Sequence, residues 1–326
     1  MIQWPSVSVI MPVLNEEVHL EAAVKAILAQ DYPQEFDIVL ALGPSRDNTT
    51  AIAQKLVQQN SRVHVVPNPS GKTPDALNLA IAQTKGEIIV RVDAHSELSP
   101  GYIKSAVETL QRTGADNVGG IMKAQGITIF ERAVAVAMTS PLGVGGGAFH
   151  VGGEQGPVDT VYLGVFVRSA LERVGGYDSR FVRAQDWEMN FRIRSSGGIV
   201  WFDPALVVHY RPRRSLRALA QQYFQYGSWR REVIRIHPTT ATKKSNLRYF
   251  APPLAVLGSI LGTVLALSGM SWAAIAPIGY GVIVLGSTVV LSRKAGLATL
   301  WLPVVLVTMH WSWGTGFLTS RRKIVD

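Results

Sequence analysis

The chain of 326 residues predicts an α/β domain, a mostly parallel sheet flanked by helices, followed by C-terminal transmembrane helices. Three observations predict it. Short β-branched, apolar runs alternate with stretches of helical period. Polar residues follow directly on four of those runs. Beyond about residue 248 charge nearly vanishes, and the segments 250–267, 272–291 and 298–318 each approach the ~20 apolar residues that a membrane-spanning helix needs.

The first strand is VSVIMPVL, and EEVHLEAAVKAILAQ follows it with apolar positions at helical spacing. DIVLAL is the second strand. After the turn GPSRDNTT comes TAIAQKLVQQN, a helix capped by Asp47 or Thr49. RVHVVP, a Gly-Lys loop, DALNLAIAQT and EIIVRVD add a strand, a helix and a strand; this rhythm sets parallel strands between helices. GYIKSAVETLQRT is a further helix. The Gly-dense stretch 140–153 is unsuited to regular structure and reads as a mobile loop over a substrate or as a plain connection. GVFVRSALERVGGYD gives a strand, a helix and a turn, RAQDWEMNFRIRSSG a helix, and IVWF a strand. The helix 216–236 sets Leu216, Leu219, Tyr223, Tyr226 and Trp229 on one stripe among Arg217, Arg230, Arg231 and Arg235, a pattern suited to a membrane interface.

The expected division is therefore 1–236, a cytoplasmic domain ending in the interfacial helix, and 237–326, a membrane domain with two or three hydrophobic segments. Lys243, Lys244 and Arg248 precede the first segment and Arg293 with Lys294 follow the second, which puts the N-terminal domain on the cytoplasmic side of the inner membrane, with membrane lipids as partners. Arg321, Arg322 and Lys323 oppose three full spans, so the last segment is read as spanning or re-entrant. The N-terminus lacks the pattern of a signal peptide. With no Cys, disulfides and thiolate metal sites are excluded. The net charge of +9 suits anionic lipid and phosphorylated substrates, and no nucleic-acid recognition motif is present.

The strand tips carry the chemistry. Asn15 and Glu16 follow the first strand, SRDN the second, Lys72 and Asp75 the third, and Asp93 with His95 the fourth. Four polar tips on one sheet edge predict a ligand crevice. GxGxxG and the P-loop are both missing, so a nucleotide held there needs another device. Asp93 supplies one, since a carboxylate at the end of a buried strand can hold Mg²⁺ or Mn²⁺ against a diphosphate. In the later helix Asp186, Glu188 and Asn190 alternate with Trp187, Met189 and Phe191, so the polar groups cannot all share a face. Read alone, Asp186 is an N-cap.

PVLNE, the Gly-Lys loop leading into Ala76-Leu77-Asn78, the Asp93-Ala94-His95 triplet and AQDWEMNFRIR together resemble family 2 glycosyltransferases of the GT-A fold, in the membrane-attached, succinoglycan-type subgroup that builds exopolysaccharide. The resemblance implies that Pro12, Asn15 and Glu16 line the nucleoside pocket, and that Asp47, Lys72 and Asp75 approach the nucleotide. It assigns Asp93 and His95 to the metal and diphosphate triplet, commonly Asp-x-Asp, with a divalent ion, Mn²⁺ or Mg²⁺, as cofactor. His95 in place of the acid favours Mn²⁺ slightly. His209 is a third metal-site residue by the same resemblance, or otherwise a structural hydrogen-bond donor. Asp186 becomes the base for the acceptor hydroxyl. Glu188 and Trp187 would hold the acceptor or orient Asp186, and Arg194 or Arg192 would offset diphosphate charge. Leu42 and Gly43 stand where the family usually has acids, so the base of the nucleotide stays open.

The activity so implied is inverting, metal-dependent transfer of a sugar from a nucleotide-diphosphate donor to a lipid-linked, polyprenyl-borne saccharide. The alternatives are a synthase that loads polyprenyl phosphate itself, and a non-catalytic nucleotide-sugar-binding membrane protein.

Overall fold

The runs predicted as parallel strands fold as strands whose apolar residues are largely buried. In a computed structural model, which describes residues 3–241 and 244–321, β1 (Val7–Val13) is buried at every position except Pro12. β2 (Phe36–Leu42), β3 (Val63–Pro67) and β4 (Ile88–Arg91) lie parallel to it in the order β3-β2-β1-β4. The helices Leu20–Leu28, Thr49–Gln59 and Thr73–Gln83 make the crossovers, burying Leu20, Val24, Ile27, Leu56, Leu77 and Ala80. All four carboxyl ends therefore reach one edge of the sheet, as a parallel arrangement requires.

Beyond β4 the sheet changes character. β5 (Ser96–Leu98), β6 (Asn117–Ala124), β7 (Gly156–Pro157), β8 (Val165–Val167) and β9 (Val200–Tyr210) continue it in the order β8-β6-β9-β5, with β7 on the side of β9. The pairs β4–β8, β6–β8, β5–β9 and β7–β9 are antiparallel, so the sheet is mixed. Two local expectations are corrected. The first helix begins at Leu20 and not at Glu16, whose carbonyl instead accepts from the amides of His19 and Leu20 in a turn. Asp186 does not cap its helix, Gln185–Ser195. The N-cap is Ala184, held at φ +59° in the left-handed region.

Residues 1–123 with 152–210 form one compact unit, and 124–151 with 211–326 a second. The line thus falls elsewhere than 236/237. The reason lies in the helix Leu216–Ile236, whose partner is the apolar helix Leu302–Thr319. Ser228 donates to the Gly316 carbonyl at 3.1 Å, and Arg231 to those of Phe317 and Leu318 at 3.1 and 2.7 Å. A Cβ on Gly227 would lie 1.9 Å from the Trp313 oxygen, and one on Gly316 2.1 Å from that of Phe224, so only glycine allows this approach. Of the aromatic stripe, Tyr223 and Trp229 are buried while Tyr226 is 42% exposed.

Within the second unit two helical stretches are long and apolar enough to cross a membrane, Asn246–Leu267 and Ser271–Thr319. The second contains both remaining apolar segments, as the helices Ile275–Ala295 and Leu302–Thr319 with a 3-10 turn between them. Ile275, Val289 and Leu300 stay largely exposed, unlike the side chains of a soluble core helix. Lys243, Arg322 and Lys323, used in the topology argument, lie outside the described residues. The Gly-dense stretch is not structureless. It carries the short helices Pro141–Val144 and Ala148–Val151, and the Leu142 carbonyl lies 2.9 Å from Nε2 of His310.

Candidate active site

Three of the four strand tips are tied to one another by their own side chains. Asn15, at φ +54°, donates its amide to Ser45 Oγ at 3.0 Å and accepts from the Arg46 amide at 2.8 Å. The Glu16 amide donates to Thr49 Oγ1, and its carboxylate lies 2.9 Å from His95 Nδ1. Asp47 accepts from the amide and hydroxyl of Thr49 and from the Glu17 amide, and the Thr49 hydroxyl above all lowers its pKa. The N-cap of the helix Thr49–Gln59 is nevertheless Asn48, with no capping hydrogen bond from its side chain, so the expected cap at Asp47 or Thr49 is corrected: Asp47 stands one residue before the cap and Thr49 is the first helical residue. Pro12 is half-buried at the end of β1.

The centre is a residue that sequence reasoning passed over. Arg91, the last residue of β4, is 2% exposed and reaches two carboxylates. Its Nη2 lies 3.1 Å from Asp93 Oδ1, and its Nη1 donates to Asp186 Oδ1. The ring of Tyr177 lies 5.8 Å from the same guanidinium. Burial alone would raise the pKa of Asp93. The charge of Arg91, with those of His95 and Arg183, outweighs it and holds the carboxyl below its ordinary range. Arg91 is held above its own ordinary value against the same burial. Asp93 and Asp186, 93 positions apart in the chain, therefore share one buried cation. The available signal was an Arg at the end of a strand otherwise made of Ile and Val, a position that burial allows only to a paired charge.

Asp186 arrives there because the preceding loop is clamped. Asn78, from the helix Thr73–Gln83, donates to the Tyr177 carbonyl at 2.7 Å and accepts from its amide at 2.8 Å. Gly176 makes room for this clamp, at φ +73° and with Asn78 Oδ1 only 2.8 Å from where a Cβ would sit. Arg183, exposed in the same loop, supplies the second charge acting on Asp93.

Other expected site residues go elsewhere. Glu188 is 2% exposed, and both its oxygens accept from Arg192 at 2.7 Å, one helical turn on. Trp187 is buried and stacks on Phe191. Arg194 donates to the Asp159 carbonyl at 3.0 Å and lies 3.4 Å from its carboxylate. These contacts hold the helix in place. Lys72 is exposed at its helix start. Asp75 lines a cleft of about 500 Å³ with Asn68, Ser70, Asn78 and Ser179. Burial opposes its ionisation, but hydrogen bonds from Ser179 and Ser70 and the charge of Lys72 prevail and lower its pKa.

His209 stands opposite Glu97 in the β9–β5 pair, next to Tyr210, whose ring packs 6.1 Å from that of His95. Strand alternation turns His209 to the other face from Tyr210. Among the described residues no three His, Cys, Asp or Glu side chains gather to hold an ion, so Asp93, His95 and His209 form no three-residue cage. Asp93 and His95, with side chains 19% and 30% exposed at one tip, still fit an ion that takes its remaining ligands from phosphate and water, as Mg²⁺ commonly does.

Compared with known families, residues 8–175 match "Glycosyl transferase family 2". The chain belongs to this family. The transferase is 30% identical, over 331 aligned residues covering 97% of this chain and 96% of the relative, to the succinoglycan biosynthesis protein ExoA of Rhizobium meliloti. It is 26% identical over 238 residues, 70% of this chain and 74% of the other, to the dolichyl N-acetyl-alpha-D-glucosaminyl phosphate 3-beta-D-2,3-diacetamido-2,3-dideoxy-beta-D-glucuronosyltransferase of Methanococcus voltae. Its fold matches that of the mannosyltransferase PcManGT from Pyrobaculum calidifontis, solved with GDP-Man and Mn²⁺, at a TM-score of 0.62 and 20% identity over 98% of this chain and 89% of that one. The mixed α/β sheet is thus the GT-A fold, and the protein is a glycosyltransferase.

Proposed function

We propose that this transferase moves a sugar, with inversion, from a nucleotide-diphosphate donor to a hydroxyl of a lipid-linked saccharide, in exopolysaccharide or envelope-glycan assembly at the cytoplasmic face of the inner membrane. The observation that carries the reading is the Asp93–Arg91–Asp186 bridge. It joins the carboxylate suited to the diphosphate side of the reaction to the one suited to the acceptor side. Asp186 takes the proton of the attacking hydroxyl as the glycosidic bond forms, and the Arg91 contact keeps that carboxylate aimed. Asn15, Glu16 and the Ser45–Thr49 turn give the nucleoside a rigid floor. A divalent ion held by Asp93 and His95 would offset charge on the departing diphosphate. The relatives' names support the reading, one in succinoglycan biosynthesis and one acting on a dolichyl-linked sugar, and the two exposed apolar stretches support a membrane location.

One observation favours a second reading. An ion-paired carboxylate is a weaker base, and an acceptor that is already an anion, such as polyprenyl phosphate, needs none. The test is transfer from a panel of radiolabelled nucleotide sugars into lipid extract, with Mn²⁺ or EDTA. Metal-dependent incorporation into a lipid-linked saccharide is expected. Incorporation into polyprenyl phosphate alone supports the synthase, and binding without transfer from any donor overturns both.

A further inference from the structure

Apolar surface and unpaired charge meet at one place in the second unit that the transfer reaction does not use. The helix Ile129–Met138 starts there on a capping box. The Thr128 hydroxyl accepts from the Glu131 amide at 3.1 Å, and the Glu131 carboxylate accepts from the amides of Thr128 and Ile127 at 3.0 and 2.8 Å. Ala133, Val134 and Met138 are buried, but Ile127 and Ile129, on either side of the cap, are left 63% and 46% exposed. The next residue, Phe130, meets Trp301 edge to face with ring centres 5.4 Å apart. Trp301 ends the turn Gly296–Trp301, on which Leu297 and Leu300 are also largely exposed.

Cations edge this apolar surface. Arg132 is exposed directly after Glu131, and Arg293 and Lys294, both exposed, end the helix Ile275–Ala295 just before the turn. Their unit offers them no counter-charge. Its acids among the described residues are Glu131 and Glu232, which face Arg214 at 3.6 Å and Arg235 at 3.0 Å. Two charges at the end of a long apolar helix mark the level of the lipid headgroups, since neither is stable in hydrocarbon, and the nearby Trp301 suits the same depth. Exposed aliphatic groups beside unpaired Arg and Lys fit a partner that is apolar below and anionic above. A leaflet with anionic headgroups has that order. A second copy of the same face would set cation against cation.

We propose that the helix Ile129–Met138 and the turn Gly296–Trp301 form a site for the anionic membrane surface, with Ile127, Ile129 and Leu300 below the headgroups and Arg132, Arg293 and Lys294 paired with lipid phosphates. This rests on the membrane location argued above. It goes beyond that location because the helix is far in sequence from either apolar stretch, and it ties the Gly-dense segment that follows the helix to the headgroup level.

The chain has no Cys, so a single introduced thiol is labelled alone. Full-length Ile127→Cys carrying the polarity-sensitive dye NBD is placed in nanodiscs that hold one copy each, with Lys55→Cys, exposed on the helix Thr49–Gln59, as the aqueous control. The label at 127 should emit at shorter wavelength than the label at 55. Phosphatidylcholine with a doxyl group near the headgroup end of its acyl chain should quench it, while aqueous iodide should quench only the label at 55. Lipid choice is read by exchanging the quencher: doxyl phosphatidylglycerol should act with about fivefold higher apparent affinity than doxyl phosphatidylcholine if one cation is engaged. Arg132→Gln, Arg293→Gln and Lys294→Gln combined should abolish that preference and leave the label in its apolar surroundings. Iodide quenching at 127 equal to that at 55, burial that no lipid quencher reaches, or indifference to lipid charge without the Gln substitutions would each overturn the assignment. A protein that does not enter nanodiscs at all would overturn the membrane location and the site with it.

Discussion

Replacing Arg91 by Met keeps much of the side-chain volume and removes the charge. Two carboxylates are then left facing each other, on side chains 19% and 24% exposed, with their shared cation gone. Breaking a buried pair costs about 3–5 kcal/mol, and because both oxygens still reach water the expectation here is about 2–3 kcal/mol. At roughly 2–4 °C per kcal/mol this lowers the melting temperature by roughly 4–12 °C. The pH dependence fixes the mechanism. Arg91 depresses the pKa of folded Asp93, so its contribution is present above the unfolded carboxylate value of about 4 and is lost as the pH falls through the lower folded value. In the variant, burial acts without Arg91 and raises that pKa, and the acid limb of stability moves to higher pH. Thermal melts of detergent-solubilised protein from about pH 2 to pH 8 measure both effects. Arg91→Lys, a point charge in place of a fork, should recover part of the loss. Melting temperatures and acid limbs that coincide with wild type would refute the shared-cation argument.

Further outcomes follow from the same geometry. Asn78→Ala removes both hydrogen bonds to the Tyr177 peptide and should cost about 1–3 kcal/mol, with a drop in kcat that melting and transfer assays detect together. Gly316→Val forces apart the helices Leu216–Ile236 and Leu302–Thr319 and should lower the melting temperature by several degrees, whereas Gly279→Ala, with open space around its Cβ, should leave it unchanged. His95→Asp sets a carboxylate beside Glu16, so melting without metal should fall and Mg²⁺ should restore it to a larger extent than in wild type.

The parallel half of the sheet was legible because its strands are runs of mainly apolar, β-branched residues, and the first three are each followed by a helix of clear period. The antiparallel half was not. β7 and β8 are two and three residues long, too short to show alternation, and their pairing is set by partners far along the chain. The tips Asn15, Glu16, Asp93 and His95 could be found because a parallel sheet collects the ends of its strands. Arg91 was hidden by its neighbours, since an Arg after three apolar residues reads as the end of burial until Asp186 arrives from a distant helix to pair with it. Glu188 and Arg192 carried the opposite signal. Their spacing of four is that of a local helical pair, and the acid-rich motif drew attention away from it. The Leu216–Ile236 stripe faces a helix of its own chain, a partner that no property of the amphipathic segment itself identifies.

The central claim is that Asp186 accepts the acceptor's proton while Arg91 holds it in place. The most direct measurement is single-turnover transfer by Asp186→Asn, at saturating donor and with nucleotide binding verified, to a lipid-linked saccharide and to polyprenyl phosphate in parallel. The account predicts that transfer to the saccharide hydroxyl falls by about 10²- to 10⁴-fold while the nucleotide binds as before. Transfer to the saccharide at the wild-type rate would contradict it.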